Sequence, residues 1–416
     1  MSDQRTLVIM TQVYLPDPAA VGQHIADAAE RMVNRGWRVI VYTSRRGYDD
    51  PTRIFPRTET REGVEIRRLP LSSFGKASIP IRLVAQAMFL AQATLRALWA
   101  RRISAVLVST SPPFAGVGGW LLSKVRRARL IWWVMDVNPD QMITSGRLSP
   151  TSIVARVFDA MNRLTLRAAD GIIVLDRFMC ERMLAKLSVP QKVSVVGPWA
   201  HEDRLEMVSH ADNPFRRQHG LEGKFVVMYS GNHGFSTPLA TLLEAAKRLA
   251  ALPDLVFMFI GGGVIKKEID AMVEREHPAN IVSLPYQPIE SIRYSLSAAD
   301  VHAVSIANEG VGVIHPCKIY GAMAVGRPIL ALGPRLSHAG ELVEREQIGW
   351  ACEHGDVDAL VATLRRLLEL PRPALDAMGS RAKAALSERY SRQSSLDAVC
   401  DLIEGAGPAA CPEAEA

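Results

Sequence analysis

The stretch Gly312–Ala331, GVIHPCKIYGAMAVGRPILA, sets His315, Pro316 and Lys318 ahead of an apolar, small-residue segment. Proline suits the first turn of a helix. A lysine there opposes the helix dipole, which favours cations at the other end. Backbone N–H groups at a helix start point toward bound anions, and a nearby ammonium adds charge. The pattern predicts a helix from Pro316 to near Gly326, with an anion held at its first turn.

Three further stretches could approach a phosphate. YLPDPAAVGQH places Gly22 at a helix start just after a strand. VVMYSGNHG ends another strand with Ser230, Gly231, Asn232 and Gly234, and FMFIGGG ends a third with Gly261, Gly262 and Gly263. Glycine lets a backbone come close to a ligand. Each could be a plain turn, but together they favour a bound diphosphate. No GxGxxG dinucleotide fingerprint is present. RLIWWVMDVNPD sets Asp136, Asn138 and Asp140 just past an apolar strand. Acids at strand ends can hold hydroxyls or a proton. Asp140 reads better as a turn or cap residue, and Asp136 as functional. The histidines, His24, His233 and His315 among them, show no metal-site spacing, so no tightly bound metal is expected.

These residues must be positioned by an alternation of strands and helices. Strands are predicted at 7–11, 38–43, 64–68, 105–110, 130–135, 171–175 and 193–196. A second series follows at 225–229, 255–260, 280–284, 301–306, 328–332 and 350–352. Short apolar strands separated by helices indicate an α/β chain with parallel sheets covered on both faces. Two series imply two doubly wound domains. The division expected is 1–205, then 206–391, a terminal helix over 392–406 that could pack back on the first domain, and a disordered tail over 407–416. Ligands in such folds bind at the carboxyl ends of the strands.

The chain has 416 residues and a net charge of +6. The charge is uneven: residues 1–200 hold 28 Lys+Arg and 15 Asp+Glu. Residues 66–135 hold 11 Lys/Arg and no acid, which suggests an anionic partner. The helix expected over 79–99 has an uncharged run of 13 residues, too short to span a bilayer of about 20 residues. With Lys76, Arg82, Arg96, Arg101 and Arg102 flanking it, it suits either a membrane surface or the first sheet. Nucleic acid is not expected, since the basic region lacks interleaved aromatics. The five cysteines are scattered without a CxxC pair, which points to a reducing compartment. MSDQRTLVIMTQVY runs straight into a strand, and no signal peptide is expected.

MYSGNHG, IGGG, LPYQP, SAADVHAVS and HPCKIYGAMAVGRP resemble the family-4 glycosyltransferases, in particular a branch that builds bacterial surface polysaccharides. The resemblance implies the GT-B architecture: two facing Rossmann-like domains with a central cleft. It implies transfer from a UDP-, GDP- or TDP-sugar bound on the C-terminal domain to an acceptor on the N-terminal one. That acceptor would be a polyprenyl-diphosphate-linked saccharide. The enzyme would sit peripherally on the anionic inner face of the cytoplasmic membrane. Retention of anomeric configuration is expected, with no metal or other cofactor. Gly22 matches the glycine loop that meets the donor phosphates, and Ser230–Asn232 match a second such loop. Asn232 stands where relatives usually carry arginine, leaving Lys318 to supply charge. Pro285 and Tyr286 fall where the family holds the nucleotide base. Gly321 occupies the place of the second of two motif glutamates, and Glu309 is the candidate for the first. Met135-Asp136 stands where many relatives have His-Asp, and Cys317 where the branch often has serine. The expected roles are diphosphate neutralisation by Lys318, sugar-hydroxyl binding by Glu309 and orientation of sugar or acceptor by Asp136. The alternatives are a nucleotide-sugar epimerase of the same fold and an inactive sugar-nucleotide-binding scaffold.

Overall fold

The strand runs of the sequence condense into two sheets. The computed structural model describes residues 4–407 apart from 18, 48, 49, 51, 73–78 and 201–204. Tail residues 408–416 and Lys76 lie outside the described residues, as does the Arg82 side chain. The chain forms two compact units, one of residues 1–198 and 393–416 and one of residues 199–392.

In the first unit the strands are β1 (Thr6–Met10), β2 (Arg38–Ser44), β3 (Thr58–Arg61), β4 (Val64–Leu69), β5 (Ile103–Ser109), β6 (Arg129–Trp133), β7 (Gly171–Val174) and β8 (Val193–Val195). They order as β3-β4-β2-β1-β5-β6-β7-β8. All neighbours are parallel except β3 against β4. Val8 of β1 registers with Ile40 on one side and Val106 on the other. All of β1 is buried, as a central parallel strand covered on both faces requires. The sequence pattern did not show β3. Its TETR is mostly exposed, and charge suits an edge strand. The two-residue turn Glu62–Gly63 joins it to β4 with both residues at positive φ, which matches hairpin twist.

The second unit contains β9 (Phe225–Asn232), β10 (Leu255–Gly262), β11 (Ile281–Leu284), β12 (Val301–Ser305), β13 (Ile329–Leu332) and β14 (Gly349–Cys352). Their order is β11-β10-β9-β12-β13-β14, all parallel. Alternate residues pack on opposite faces. Val227, Tyr229, Phe257 and Phe259 join one core cluster, while Val226, Met228, Met258 and Ile260 join another. Chain order reverses at β9, which lies between β10 and β12, as it does at β1 in the first sheet. Loops at the carboxyl ends on either side of such a reversal leave room for a ligand.

The Ile79–Ala97 helix is apolar on more than one side. Ala85, Phe89, Ala93 and Ala97 are buried, while Ile81, Val84 and Leu95 are exposed and Trp99 just beyond is 89% exposed. No described helix is long and apolar enough to cross a membrane. Cys317, Cys352 and Cys400 are outside any disulfide, but Cys180 is disulfide-bonded, a pairing the scattered spacing gave no sign of.

Candidate active site

Strands β9 and β10 stay in register past their apolar runs, pairing Ser230, Gly231 and Asn232 with Ile260, Gly261 and Gly262. Only glycine fits there. Gly231 and Gly261 have φ of 136° and 134°, and a Cβ on Gly261 would overlap the Gly231 carbonyl. Lys318 lies across this loop, so that a Cβ on Gly231 would overlap its Cε. The ammonium donates to Tyr229 Oη at 2.6 Å and to the Asn232 carbonyl at 2.8 Å. Its Nζ also stands 4.7 Å from the Tyr229 ring centre. Among the described residues no carboxylate comes within ion-pair range of Lys318. Burial pushes its pKa down to about 8. A half-buried cation with an unused N–H and no counter-ion is a site for an anion.

Asn232 contributes through its backbone. Its carbonyl accepts from Lys318, from Tyr229 Oη at 2.8 Å and from Thr237 Oγ1 at 3.3 Å, while the residue itself is exposed. Sequence reasoning missed two residues that hold this loop. Tyr229 is fully buried, and His233 is buried with Nδ1 2.9 Å from the Gly231 carbonyl. The N–H of His233 donates to the Gly262 carbonyl at 2.8 Å, tying the two glycine loops together. Burial lowers the His233 pKa to about 4, so the ring is neutral, and its Nε2 is buried without a partner. An aromatic ending an apolar strand and a histidine between glycines read as core and turn, which hid them.

The helix expected from Pro316 begins later. It covers only Lys318–Ala324, with Cys317 at the N-cap position but no side-chain cap hydrogen bond to the helix start. The N–H groups of Cys317, Ile319 and Tyr320 donate to the carbonyls of His315, Pro316 and Cys317. Those amides are thus occupied within the turn, and the charge for an anion comes from the Lys318 ammonium. Pro316 is buried. His315 Nε2 is 3.0 Å from Tyr320 Oη, which is 3.1 Å from His338 Nε2.

The remaining candidates of this unit lie on neighbouring carboxyl ends. Glu309 is exposed on the Asn308–Gly310 turn after β12. That loop is bound to the β9 loop by Ala307 N–H to the Ser236 carbonyl at 3.0 Å. Gly262 lies under the Tyr286 ring, where a Cβ would come 2.9 Å from Cε2. Tyr286 is 60% exposed, and Pro285 beside it is exposed as well.

In the first unit, Asp136 follows β6. Its N–H, like that of Met135, donates to Thr110 Oγ1, at 3.1 and 3.2 Å. Burial raises its carboxyl pKa to about 6. Asp140 is the first residue of the Asp140–Thr144 helix, whose cap is Pro139, and it forms an ion pair with Lys186 at 2.6 Å rather than capping the helix itself. Gly22 lies in the Ala20–Asn34 helix with Tyr14 Cα 3.2 Å from where its Cβ would stand. Gly22 and Thr110 follow β1 and β5, the two strands at which the order of this sheet reverses.

Residues 19–199 match the glycosyl transferase 4-like domain, and residues 211–385 match the glycosyl transferases group 1 domain. The chain is 27% identical over 298 residues to WbjE of Pseudomonas aeruginosa, named as a glycosyltransferase; this covers 72% of this chain and 74% of that one. It is 28% identical over 264 residues to WcaI of Escherichia coli K12, assigned by name to colanic acid biosynthesis, covering 62% and 65%. Anabaena HepE, solved with UDP and glucose, superposes with a TM-score of 0.71 at 17% identity, covering 97% of this chain and 100% of that one. The fold is GT-B. With both units matched, the chain belongs to the glycosyltransferases of these two domain families.

Proposed function

We propose that the chain moves a hexosyl or N-acetylhexosaminyl group from a nucleoside diphosphate sugar to a lipid-linked saccharide in surface-polysaccharide synthesis. The observation that carries this reading is the Lys318 ammonium, half-buried across a glycine loop without a carboxylate. Departure of a nucleoside diphosphate builds negative charge on the leaving group, and a prearranged cation stabilises it. Lys318 does this work, with Gly231 admitting the phosphates and Ser230 and Asn232 bordering them. Tyr286, lying on Gly262 and flanked by Pro285, is an exposed ring for the base. Glu309 holds sugar hydroxyls, and Asp136 orients the reacting hydroxyl. His315 and Pro316 fix the turn that presents Lys318. Since an ammonium supplies the charge, the reaction is metal-independent, and we assign it a retaining course by likeness to the family. HepE was solved with UDP and glucose, which favours UDP over GDP or TDP as the nucleotide. The name of WcaI favours a polysaccharide acceptor.

The acceptor's lipid would be met at the inner face of the cytoplasmic membrane. Ile81, Val84, Leu95 and Trp99 are exposed beside Arg96 and Arg101, in a region without acids. Apolar side chains among cations suit an anionic bilayer surface.

The test begins with thermal shifts against UDP-, GDP- and TDP-sugars, followed by labelled transfer into a lipid extract in EDTA. One nucleotide should stabilise the chain, and label should enter the lipid phase. Conversion of the donor alone to an epimer would identify an epimerase. Binding without transfer to any extract would identify a scaffold. Flotation with anionic vesicles should be lost in Leu95→Ser/Trp99→Ser while donor binding persists.

A further inference from the structure

The second sheet carries a different kind of pocket at its other end. Asp300 immediately precedes β12 and Arg327 lies just ahead of β13, so both stand at amino ends of strands. Beside them is a cavity of about 620 Å³ whose lining includes Met207, His210, Arg327, Arg372, Asp376 and Lys383. Arg372, Asp376 and Lys383 share one face of the Arg372–Arg389 helix. That helix sits directly on the Gly326 turn, where a Cβ on Gly379 would overlap the Gly326 carbonyl. The pocket wall there is bare backbone.

Its charges do not balance. Asp300 is 2% exposed and already committed: it accepts from Val226 N–H at 2.8 Å, from Arg216 Nη1 at 3.4 Å and from Arg372 Nη1. His210 accepts from Arg372 Nη2 at 2.7 Å through Nδ1. Burial, helped by Arg327, lowers the His210 pKa to about 4, so the ring is neutral and adds no charge. Asp376 lies 4.0 Å from Arg372 Nε. Arg327 is 4% exposed, and its side chain makes a single hydrogen bond, from Nη2 to the Ser297 carbonyl at 2.9 Å. Its Nε is buried with no acceptor. Among the described residues neither Arg327 nor Lys383 has a carboxylate within ion-pair distance. Burying a guanidinium without a counter-charge is costly, and a ligand that brings the charge relieves it.

We propose that this cavity binds a small phosphomonoester, with Arg327, Arg372 and Lys383 gripping the phosphate and the Met207 side supporting the rest. Planar guanidinium groups match phosphate oxygens in pairs. A volume of this size is that of a small-molecule site. The site is separate from the glycine loops, which close the carboxyl ends of β9 and β10, whereas this cavity lies at the amino ends of β12 and β13.

The experiment is a calorimetric titration of the full chain with inorganic phosphate and with glucose 6-phosphate. It is run on the natural sequence and on Lys318→Ala, so that binding at the donor loop drops out. Saturable binding of glucose 6-phosphate should survive Lys318→Ala. It should weaken at least about tenfold in Lys383→Glu, as loss of one charge-assisted contact implies. Arg327→Met should abolish it. Lys383 is exposed, so its substitution leaves folding intact and decides the matter even if Arg327→Met does not fold. Failure of both anions to bind Lys318→Ala, or binding unchanged in Lys383→Glu, would overturn the proposal.

Discussion

At the residue scale, the chemistry proposed rests on two groups held away from their ordinary protonation ranges. Lys318 must be cationic to neutralise a diphosphate, and burial lets it lose its proton near pH 8. Asp136 must be ionised to orient a hydroxyl, and burial delays that to about pH 6. As pH rises, activity should appear through about 6 and fall through about 8, giving a bell in kcat/KM, which reports the free enzyme. A bound diphosphate favours the ammonium, so the alkaline limb of kcat should move upward. Lys318→Ala should lower kcat by about 10²–10³-fold, as removal of one prearranged donor does. Asp136→Asn should remove the acid limb. A profile flat from pH 5 to 9, checked by steady-state kinetics, contradicts both assignments. Lys318 was legible because a lysine at a helix start breaks a local rule. Tyr229 and His233 were not, because a buried tyrosine and a histidine among glycines look like ordinary core and turn. Only the fold shows that they tie down the Asn232 carbonyl and Gly231.

At the element scale, the apolar runs announced the parallel strands because central strands are buried on both faces and need no alternation. The same logic could not find β3, whose TETR has no buried run. Nor could it place the start of the Lys318–Ala324 helix, since Pro316 mimics a first helical residue while belonging to the turn before it. The glycine loops were visible in sequence, but their mutual dependence was not. Gly231 and Gly261 are adjacent in the sheet, and each is excluded from carrying a side chain by the other's backbone or by Lys318. Gly231→Ala should therefore cost about 1–3 kcal/mol of stability, the range for a residue forced into a sparse backbone region. It should weaken nucleotide binding more than the same change at exposed Gly223, which meets nothing. Equal nucleotide affinity in the two variants, measured by calorimetry, would show that the loop tolerates displacement of Lys318.

At the scale of the whole molecule, two doubly wound units were legible from two series of strands. The terminal helix was foreseen, but the charges that seat it were not. Arg31 of the Ala20–Asn34 helix and Arg35 at its C-cap bond Asp397, and Arg35 also reaches Asp401 and Glu404. Partial burial alone would raise the Asp397 carboxyl, but hydrogen bonds from both arginines more than offset it and hold it below its usual range. The group thus adds stability above its unfolded pKa and loses it as pH falls through the folded value. Asp397→Ala should cost about 1 kcal/mol at neutral pH, because the group is partly exposed and screened. The difference from the natural sequence should vanish in acid, as read from urea midpoints at the two pH values. The first unit is also discontinuous: it stops at Pro198 and resumes at Gln393. During synthesis the second unit is complete before the ribosome has delivered Val399, Cys400 and Ile403, all buried against the first. The domain made first is thus the one finished last. Its opening sheet must wait, basic and partly uncovered, until the rest of the chain has emerged and its final helix returns.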